Sequence, residues 1–291
     1  MGEDRRAPAT GARGISRDDL VGDLRALGVR VGQTLLVHAS LSSLGWVDGG
    51  AATVVAALRD AVGAAANAAP GPSGNVVVFT GTEENSTTSR EHLARTAGLA
   101  PEQVARFRNR MAAFDRERTP AGSGRIAEEL RTTEGALRSG HPQSSFAALG
   151  PQAADLTNGH ALNSHHGPRS PLGRMYAMAA DGRLDAVILM LGVGYHACTA
   201  LHLAEYRYRG DLSPRRPTGR TYSCVTTVGR RRRWTYYRDV VLDDSDFEEI
   251  GDHLDKEIAD HQGYVGEAKS RLMPFLAVVD HATEWMRRHR V

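Results

Sequence analysis

The sequence predicts an α/β fold: a central mixed β-sheet flanked by helices, followed by a C-terminal β-hairpin and further helices. Three observations carry this. From residue 16 to residue 79 the order reads helix, strand, helix, strand, the pattern of a βαβ-type sheet covered by helices. Residues 186–192 form a nearly apolar run between two polar clusters, which reads as a buried strand. Residues 221–227 and 234–240 alternate in polarity and are rich in β-formers, and Val228-Gly229-Arg230-Arg231-Arg232-Arg233 joins them as a hairpin.

Taken in order, Ser16 and Asp19 make an N-cap pair, with Asp in place of the usual Glu or Gln. Leu20, Leu24 and Leu27 follow at helical spacing, and Gly28 ends the helix. Residues 34–38 are a short strand, 40–50 a polar glycine-containing loop and 51–62 a helix. Residues 63–74, rich in Ala, Gly, Pro and Ser, are a loop. The strand at 76–79 runs into Thr80-Gly81-Thr82-Glu83-Glu84-Asn85. Residues 86–120 are irregularly helical, with Pro101 at a first helical position. Residues 124–132 are a short helix and 141–150 loop and strand. Residues 247–260 and 268–289 are expected to be helical. Residues 1–14 are expected to form a disordered tail and residues 15–291 a single domain.

With 36 basic and 34 acidic residues the net charge is +2, which gives no electrostatic reason to expect nucleic acid or an anionic membrane as partner. Two cysteines, Cys198 and Cys224, cannot build a disulfide framework or a zinc ribbon. No run of about 18 apolar residues is present, and the N-terminus is polar and lacks an apolar signal region. A cytoplasmic monomer or homodimer is the expectation.

Polar residues at the mouth of a buried strand mark where open α/β sheets place their sites. Here they are Asn158-Gly159-His160 with His165-His166 on one side, and Cys198-Thr199-Ala200-Leu201-His202-Leu203-Ala204-Glu205 on the other. His160 and Glu205 suit a general base and the carboxylate that orients it. The loop His38-Ala39-Ser40-Leu41-Ser42-Ser43-Leu44-Gly45 leaves a strand ahead of a helix, and its hydroxyls and N–H groups suit phosphate or a cofactor's amide chain. It lacks the Gly-Lys-Ser/Thr ending of a P-loop. His160, His165 and His166 give only a weak metal signature. Arg230 to Arg233 read as a solvated turn rather than a nucleic-acid patch. Arg95-Thr96-Ala97-Gly98-Leu99-Ala100 matches the loose pyrophosphate signature of the small acetyltransferase superfamily, but polar helical sequence flanks it where a strand is required.

Several segments together resemble the aminoglycoside 3-N-acetyltransferases. They are Leu36-Val37-His38-Ala39-Ser40-Leu41-Ser42-Ser43-Leu44-Gly45-Trp46 with Gly49-Gly50, Gly124-Arg125-Ile126-Ala127-Glu128-Glu129-Leu130-Arg131, and residues 138–150. His160-Ala161-Leu162, Gly167-Pro168-Arg169-Ser170-Pro171-Leu172-Gly173 and Leu201-His202-Leu203-Ala204-Glu205-Tyr206 complete the set, in the family's order. The resemblance implies an α/β fold of its own, acetyl-CoA as donor and an aminoglycoside amine as acceptor. It places the family's histidine on His160, its late glutamate on Glu205, and the coenzyme A loop on Ser40, Leu41, Ser42 and Ser43, flanked by His38 and Gly45. Thr80-Gly81-Thr82, Ser164 and Cys198 depart from the family pattern at positions expected to border the acceptor.

The expected chemistry is direct transfer in a ternary complex. His160 takes the amine proton, Glu205 supports the imidazolium, and Thr199 or the loop N–H groups stabilise the oxyanion. Cys198 as an acetylated nucleophile, with His202 one helical turn later, is the covalent alternative. Glu83, Glu84 and Asp115 are the expected carboxylates for a polycationic acceptor. Bulk at Gly45 is expected to obstruct the cofactor before it disturbs the core. Acyl transfer to another amine of secondary metabolism, and a non-catalytic nucleic-acid-binding module, are the alternative functions.

Overall fold

A computed structural model of the chain describes residues 13–64, 73–211, 219–229, 231–258 and 261–290. Of the expected tail, all but Arg13 and Gly14 lies outside the described residues. The elements are α1 (Arg17–Ala26), β1 (Thr34–Ala39), α2 (Gly50–Ala61), β2 (Asn75–Phe79), α3 (Arg90–Thr96), α4 (Pro101–Asn109) and α5 (Arg125–Thr132). They continue with β3 (Leu137–Arg138), β4 (Phe146–Leu149), α6 (Ala153–Thr157), α7 (Pro171–Ala180), β5 (Ala186–Leu191) and α8 (Ala200–Asp211). The chain then forms β6 (Gly219–Val228), β7 (Arg231–Val240), α9 (Phe247–Glu257), β8 (His261–Val265), β9 (Ala268–Pro274) and α10 (Phe275–His289).

Helix α1 begins as its sequence requires. The Ser16 hydroxyl accepts from the Asp19 N–H, and the Asp19 carboxylate accepts from the Ser16 N–H at 2.9 Å. Aspartate therefore completes the capping box where a longer acid is usual.

Seven strands form one mixed sheet in the order β3-β4-β2-β1-β5-β9-β8. Strands β2, β1 and β5 are parallel, and β4 and β9 pair antiparallel on either side of them. Alternate residues face opposite layers. Leu36, Val77, Ile188 and Met190 meet Leu172 and Met175 of α7, Leu201 and Ala204 of α8, and Phe275 and Val278 of α10. Leu35, Val37, Val76, Val78 and Leu189 meet Leu20 and Leu24 of α1, Val54 and Leu58 of α2, and Leu130 of α5. Helix α2, which links β1 to β2, covers one face, whereas α7, which leads into β5, covers the other. Strand β1 is thus where the connections change sides, and a crevice opens beyond the carboxyl ends of β1 and β5.

The C-terminal part corrects the expectation of helix over 268–289. Residues 268–274 are strand β9, paired with β5 and with β8, and the helix starts only at Phe275. In β9 Ala268, Ser270 and Leu272 are buried while Lys269 is exposed, a period of two. Gly266 and Glu267 make the tight turn from β8, with Gly266 at φ 56°. Lys, Arg, Leu and Met all favour helices, so local propensity pointed the wrong way and pairing with β5 overrode it. The expected hairpin forms a separate two-stranded sheet, β6 with β7.

Candidate active site

A cavity of about 470 Å³ opens at the carboxyl ends of β1, β2 and β5. His38 and Ala39 reach it from β1, Phe79 from β2, and Thr199 and His202 from the turn after β5 and the start of α8. His165 and His166 enter from the loop before α7, and Tyr222 from β6.

Helix α8 delivers His202 and Glu205 on one face, because residues three apart sit side by side on a helix. The His202 Nδ1–H donates to Glu205 Oε2 at 2.6 Å. That contact leaves Nε2 on the opposite edge of the ring, for a group in the cavity that His202 lines. Glu205 is fully buried, and its other oxygen accepts from Arg290 Nη1 at 2.6 Å and from the Asp243 N–H at 3.0 Å. A buried carboxylate is tolerated when its lone pairs are filled in this way. His166 stacks on the His202 ring with centroids 5.0 Å apart and planes 18° apart. His38 Nε2, His166 Nδ1 and Thr199 Oγ1 are buried in this wall without a hydrogen-bond partner. Buried polar atoms are seldom left unpaired, and three of them gathered at one cavity leave hydrogen-bonding capacity on its wall.

Burial, and then the nearby His202, hold the pKa of His38 down to about 4. His166 lies well below the usual histidine range for the same two reasons. Both rings are therefore neutral at neutral pH.

The structure corrects the expected pairing of His160 with Glu205. His160 Nδ1 bonds the Ser139 hydroxyl at 2.9 Å, and its Nε2 bonds the Ser164 and His165 carbonyls at 3.0 and 3.2 Å. Both ring nitrogens are spent on the chain's own atoms, and burial holds its pKa at about 4. Glu205 meanwhile turns to His202, Arg290 and the Asp243 N–H. His160 thus ties the loop that carries His165 and His166 to the Ser139 strand end. It is not among the residues lining the cavity.

A second network holds the same loop from the other side. Asp239 of β7 accepts from the His165 N–H at 2.8 Å, from its Nδ1 at 2.6 Å and from the Tyr206 hydroxyl at 2.7 Å. Burial pushes the Asp239 carboxyl up, but these hydrogen bonds outweigh it and leave the pKa below the usual aspartate value. The hairpin is therefore bolted to the cavity by buried hydrogen bonds between Asp239 and His165. This contact spans 74 residues, and no local signal announces it.

The other expected site residues fall as follows. Ser40 and Ser42 hydroxyls are 3.1 Å apart, and Ser43 Oγ donates to the Gly192 carbonyl, which joins the loop after β1 to the end of β5. Leu41 begins a 3₁₀ turn, Leu41–Leu44. Gly45 has φ 86°, and a Cβ there would stand 2.6 Å from the Glu267 side chain. A side chain at 45 therefore strains the backbone and collides with Glu267 first, which corrects the expectation that bulk there obstructs a cofactor while sparing the fold. Asp115 does not face the cavity: its carboxylate accepts from the N–H groups of Glu117 and Arg118, each at 2.9 Å. Glu83 and Glu84 lie in the short segment between Phe79 and Ser86, both of which line the cavity. Cys198 is buried in the apolar core and burial pushes its thiol up to about 12, so almost no thiolate exists at neutral pH. Arg232 bonds the Arg108 and Met111 carbonyls, and Arg230 lies outside the described residues.

The neutral histidines make stability depend on pH. In the unfolded chain they protonate below about pH 6.5, whereas His38 and His160 in the fold do so only near pH 4. Their contribution is fully present above about pH 6.5 and is lost as pH falls toward 4. Each neutral histidine costs about 2 kcal/mol between pH 6.5 and pH 5. Urea unfolding at pH 7.5 and pH 5.0 is expected to show a lower midpoint at pH 5.0. An unchanged or higher midpoint would contradict the assigned neutral state.

The family model for aminoglycoside 3-N-acetyltransferase matches residues 36–287. The SPbeta prophage-derived aminoglycoside N(3')-acetyltransferase-like protein YokD of Bacillus subtilis is 32% identical, over 93% of this chain and 92% of that protein. Aminoglycoside N(3)-acetyltransferase VII of Streptomyces paromomycinus is 34% identical, over 94% of this chain and 91% of that protein. The crystal structure of YokD superimposes with a TM-score of 0.82 at 30% identity, covering 96% of each chain. AAC-VIa bound to sisomicin gives 0.74 at 32% identity, covering 96% of this chain and all 100% of that one. AAC-IIIb in a binary complex with CoASH gives 0.75 at 28% identity, covering 95% of this chain and 97% of that one. Among the described residues, no helix is long and apolar enough to cross a membrane.

Proposed function

The chain belongs to the aminoglycoside 3-N-acetyltransferase family, and from this we infer that it transfers the acetyl group of acetyl-CoA to the 3-amino group of an aminoglycoside in the cavity beyond β1 and β5. One observation carries the placement of the chemistry: His202, backed by the buried Glu205, lines a cavity whose wall holds three unpartnered polar atoms.

His202 Nε2 is the general base. It takes a proton from the acceptor amine as the amine nitrogen attacks the thioester carbonyl, and Glu205 stabilises the imidazolium through Nδ1–H. The carbon–nitrogen bond forms, the carbon–sulfur bond breaks, and the imidazolium returns its proton to the departing thiolate, giving the amide and CoASH. The neutral His166 ring packs flat on His202 and limits its rotation. Thr199 is the proposed donor to the developing oxyanion, a reading supported by its buried, unpartnered hydroxyl on the cavity wall.

His38 and the segment Ser40, Leu41, Ser42 and Ser43 are the proposed coenzyme A contacts, because this segment runs from the cavity wall and is held to the end of β5 through Ser43. Gly45 serves it by turning the chain. Glu83 and Glu84 are the proposed acceptor-side carboxylates, joined by Asp244 on the cavity wall.

Thiol release from acetyl-CoA, measured with a panel of aminoglycosides and simple amines, tests this reading. Acetylation of an aminoglycoside, with the product shown by mass spectrometry and NMR to be modified at the 3-amino group, is the expected result. Release with simple amines alone, or modification at another amino group, would overturn it.

A further inference from the structure

We propose that Arg290 is a positioning residue for catalysis, holding Glu205 in the one orientation that aims the His202 ring into the cavity. The proposal rests on the reading of His202 as the base.

Arg290 stands just past α10, which packs against α8. Its guanidinium bridges two acids. Nη1 donates to Glu205 Oε1 at 2.6 Å, Nε donates to Asp246 Oδ2 at 2.7 Å, and Nη2 bonds both Asp246 Oδ1 and the Asp243 carbonyl. Asp246 thus fixes the plane of the guanidinium, the guanidinium fixes one oxygen of Glu205, and the other oxygen is left to His202. The result is one file of contacts, Asp246–Arg290–Glu205–His202, that runs from the surface to the cavity. Only a planar fork with several donors can serve both acids and the carbonyl at once; an ammonium can meet one acid but cannot hold this geometry.

The remaining neighbours do not replace it. Arg209 Nη2 is 3.9 Å from Glu205 Oε1, beyond hydrogen-bond reach. The Asp243 N–H carries no charge, and the Asp243 carboxylate bonds the Ser245 N–H instead. On the cavity side His202 faces the rings of His166 and His38, which burial keeps neutral. The cavity wall that His202 lines also carries Arg90, paired with Asp244, and Arg220. Glu205 is the charged group hydrogen-bonded to the His202 ring, and Arg290 is the cation hydrogen-bonded to Glu205. The cation restrains how much of the carboxylate's charge reaches the imidazolium.

The test compares Arg290→Ala, Arg290→Lys and Asp246→Asn with the parent enzyme, and with His202→Ala. Turnover of Arg290→Ala is expected to fall ~10- to 100-fold, the scale of a misplaced catalytic group, with the KM for acetyl-CoA nearly unchanged. Arg290→Lys and Asp246→Asn should lose less. Removing the cation favours the imidazolium, so the acid limb of the turnover–pH profile should move to higher pH by about half a unit or more. Millimolar guanidinium should restore part of the rate of Arg290→Ala and leave the parent unaffected. Parent-like turnover and pH profile in Arg290→Ala would overturn the proposal. So would a loss of rate that follows the melting temperature, with no shift of the limb and no rescue, because that is what a purely structural clamp would give. If His202→Ala itself keeps its turnover, it is the reading of the base that falls.

Discussion

Replacing His202 with alanine is expected to lower turnover by ~10²- to 10⁴-fold while acetyl-CoA still binds. The size of the effect follows from what the residue does in the transition state. The amine loses a proton as the new bond forms, and only a group within hydrogen-bond reach of that nitrogen can take it. His202 is held for this by a 2.6 Å hydrogen bond from Nδ1 to a fully buried carboxylate and by the stacked His166 ring. The comparison variant is His160→Ala. It removes a ring whose nitrogens both bond the chain's own atoms, so it should loosen the 164–166 loop and lower the melting temperature. Its effect on turnover should be much smaller than that of His202→Ala. Steady-state thiol release and calorimetry of acetyl-CoA binding on both proteins check this.

The second large effect is expected from Glu205→Gln. The substitution keeps the shape and removes the charge. Oε2 of Glu205 accepts from His202, and Oε1 accepts from Arg290 and the Asp243 N–H. A glutamine has one acceptor oxygen for these two sets of donors, so its NH₂ must face one of them. If it faces His202, the imidazole is forced into the wrong tautomer, and turnover should fall by up to ~10⁴-fold, as for other base–carboxylate pairs. If it faces Arg290, the guanidinium loses half of its compensation. Breaking a buried pair in this way costs on the order of 3–5 kcal/mol. Either outcome is measurable: turnover in the first case, the urea midpoint in the second. Retention of both parent values would contradict the role given to Glu205.

Much of this architecture is legible in the sequence. The Ser16–Asp19 cap, the apolar run that became β5, the hairpin from β6 to β7 and the polar clusters beside the buried strand all follow from local patterns. What failed were contacts between distant segments. Strand β9 was hidden because Lys269, Arg271, Leu272 and Met273 suit a helix, and only pairing with β5 and β8 makes them a strand. The base shows the same limit in miniature. The sequence points to Glu205, and helical spacing makes His202, three residues earlier, its natural partner. Its assignment to His160 depended on a tertiary contact that the fold does not make, since the Ser139 hydroxyl and two loop carbonyls capture that ring first. Asp239 and Arg290 are further still from any local signal, being brought to the site by a hairpin strand and by the end of α10.

The role of His202 as the base is tested most directly by a crystal structure of the chain with CoASH and an aminoglycoside bound together. The 3-amino nitrogen is expected within about 3.2 Å of His202 Nε2, with the coenzyme sulfur on the same side of the cavity. An acceptor amine that lies against His160, or that has neither His202 nor a single bridging water within hydrogen-bond reach, would contradict it.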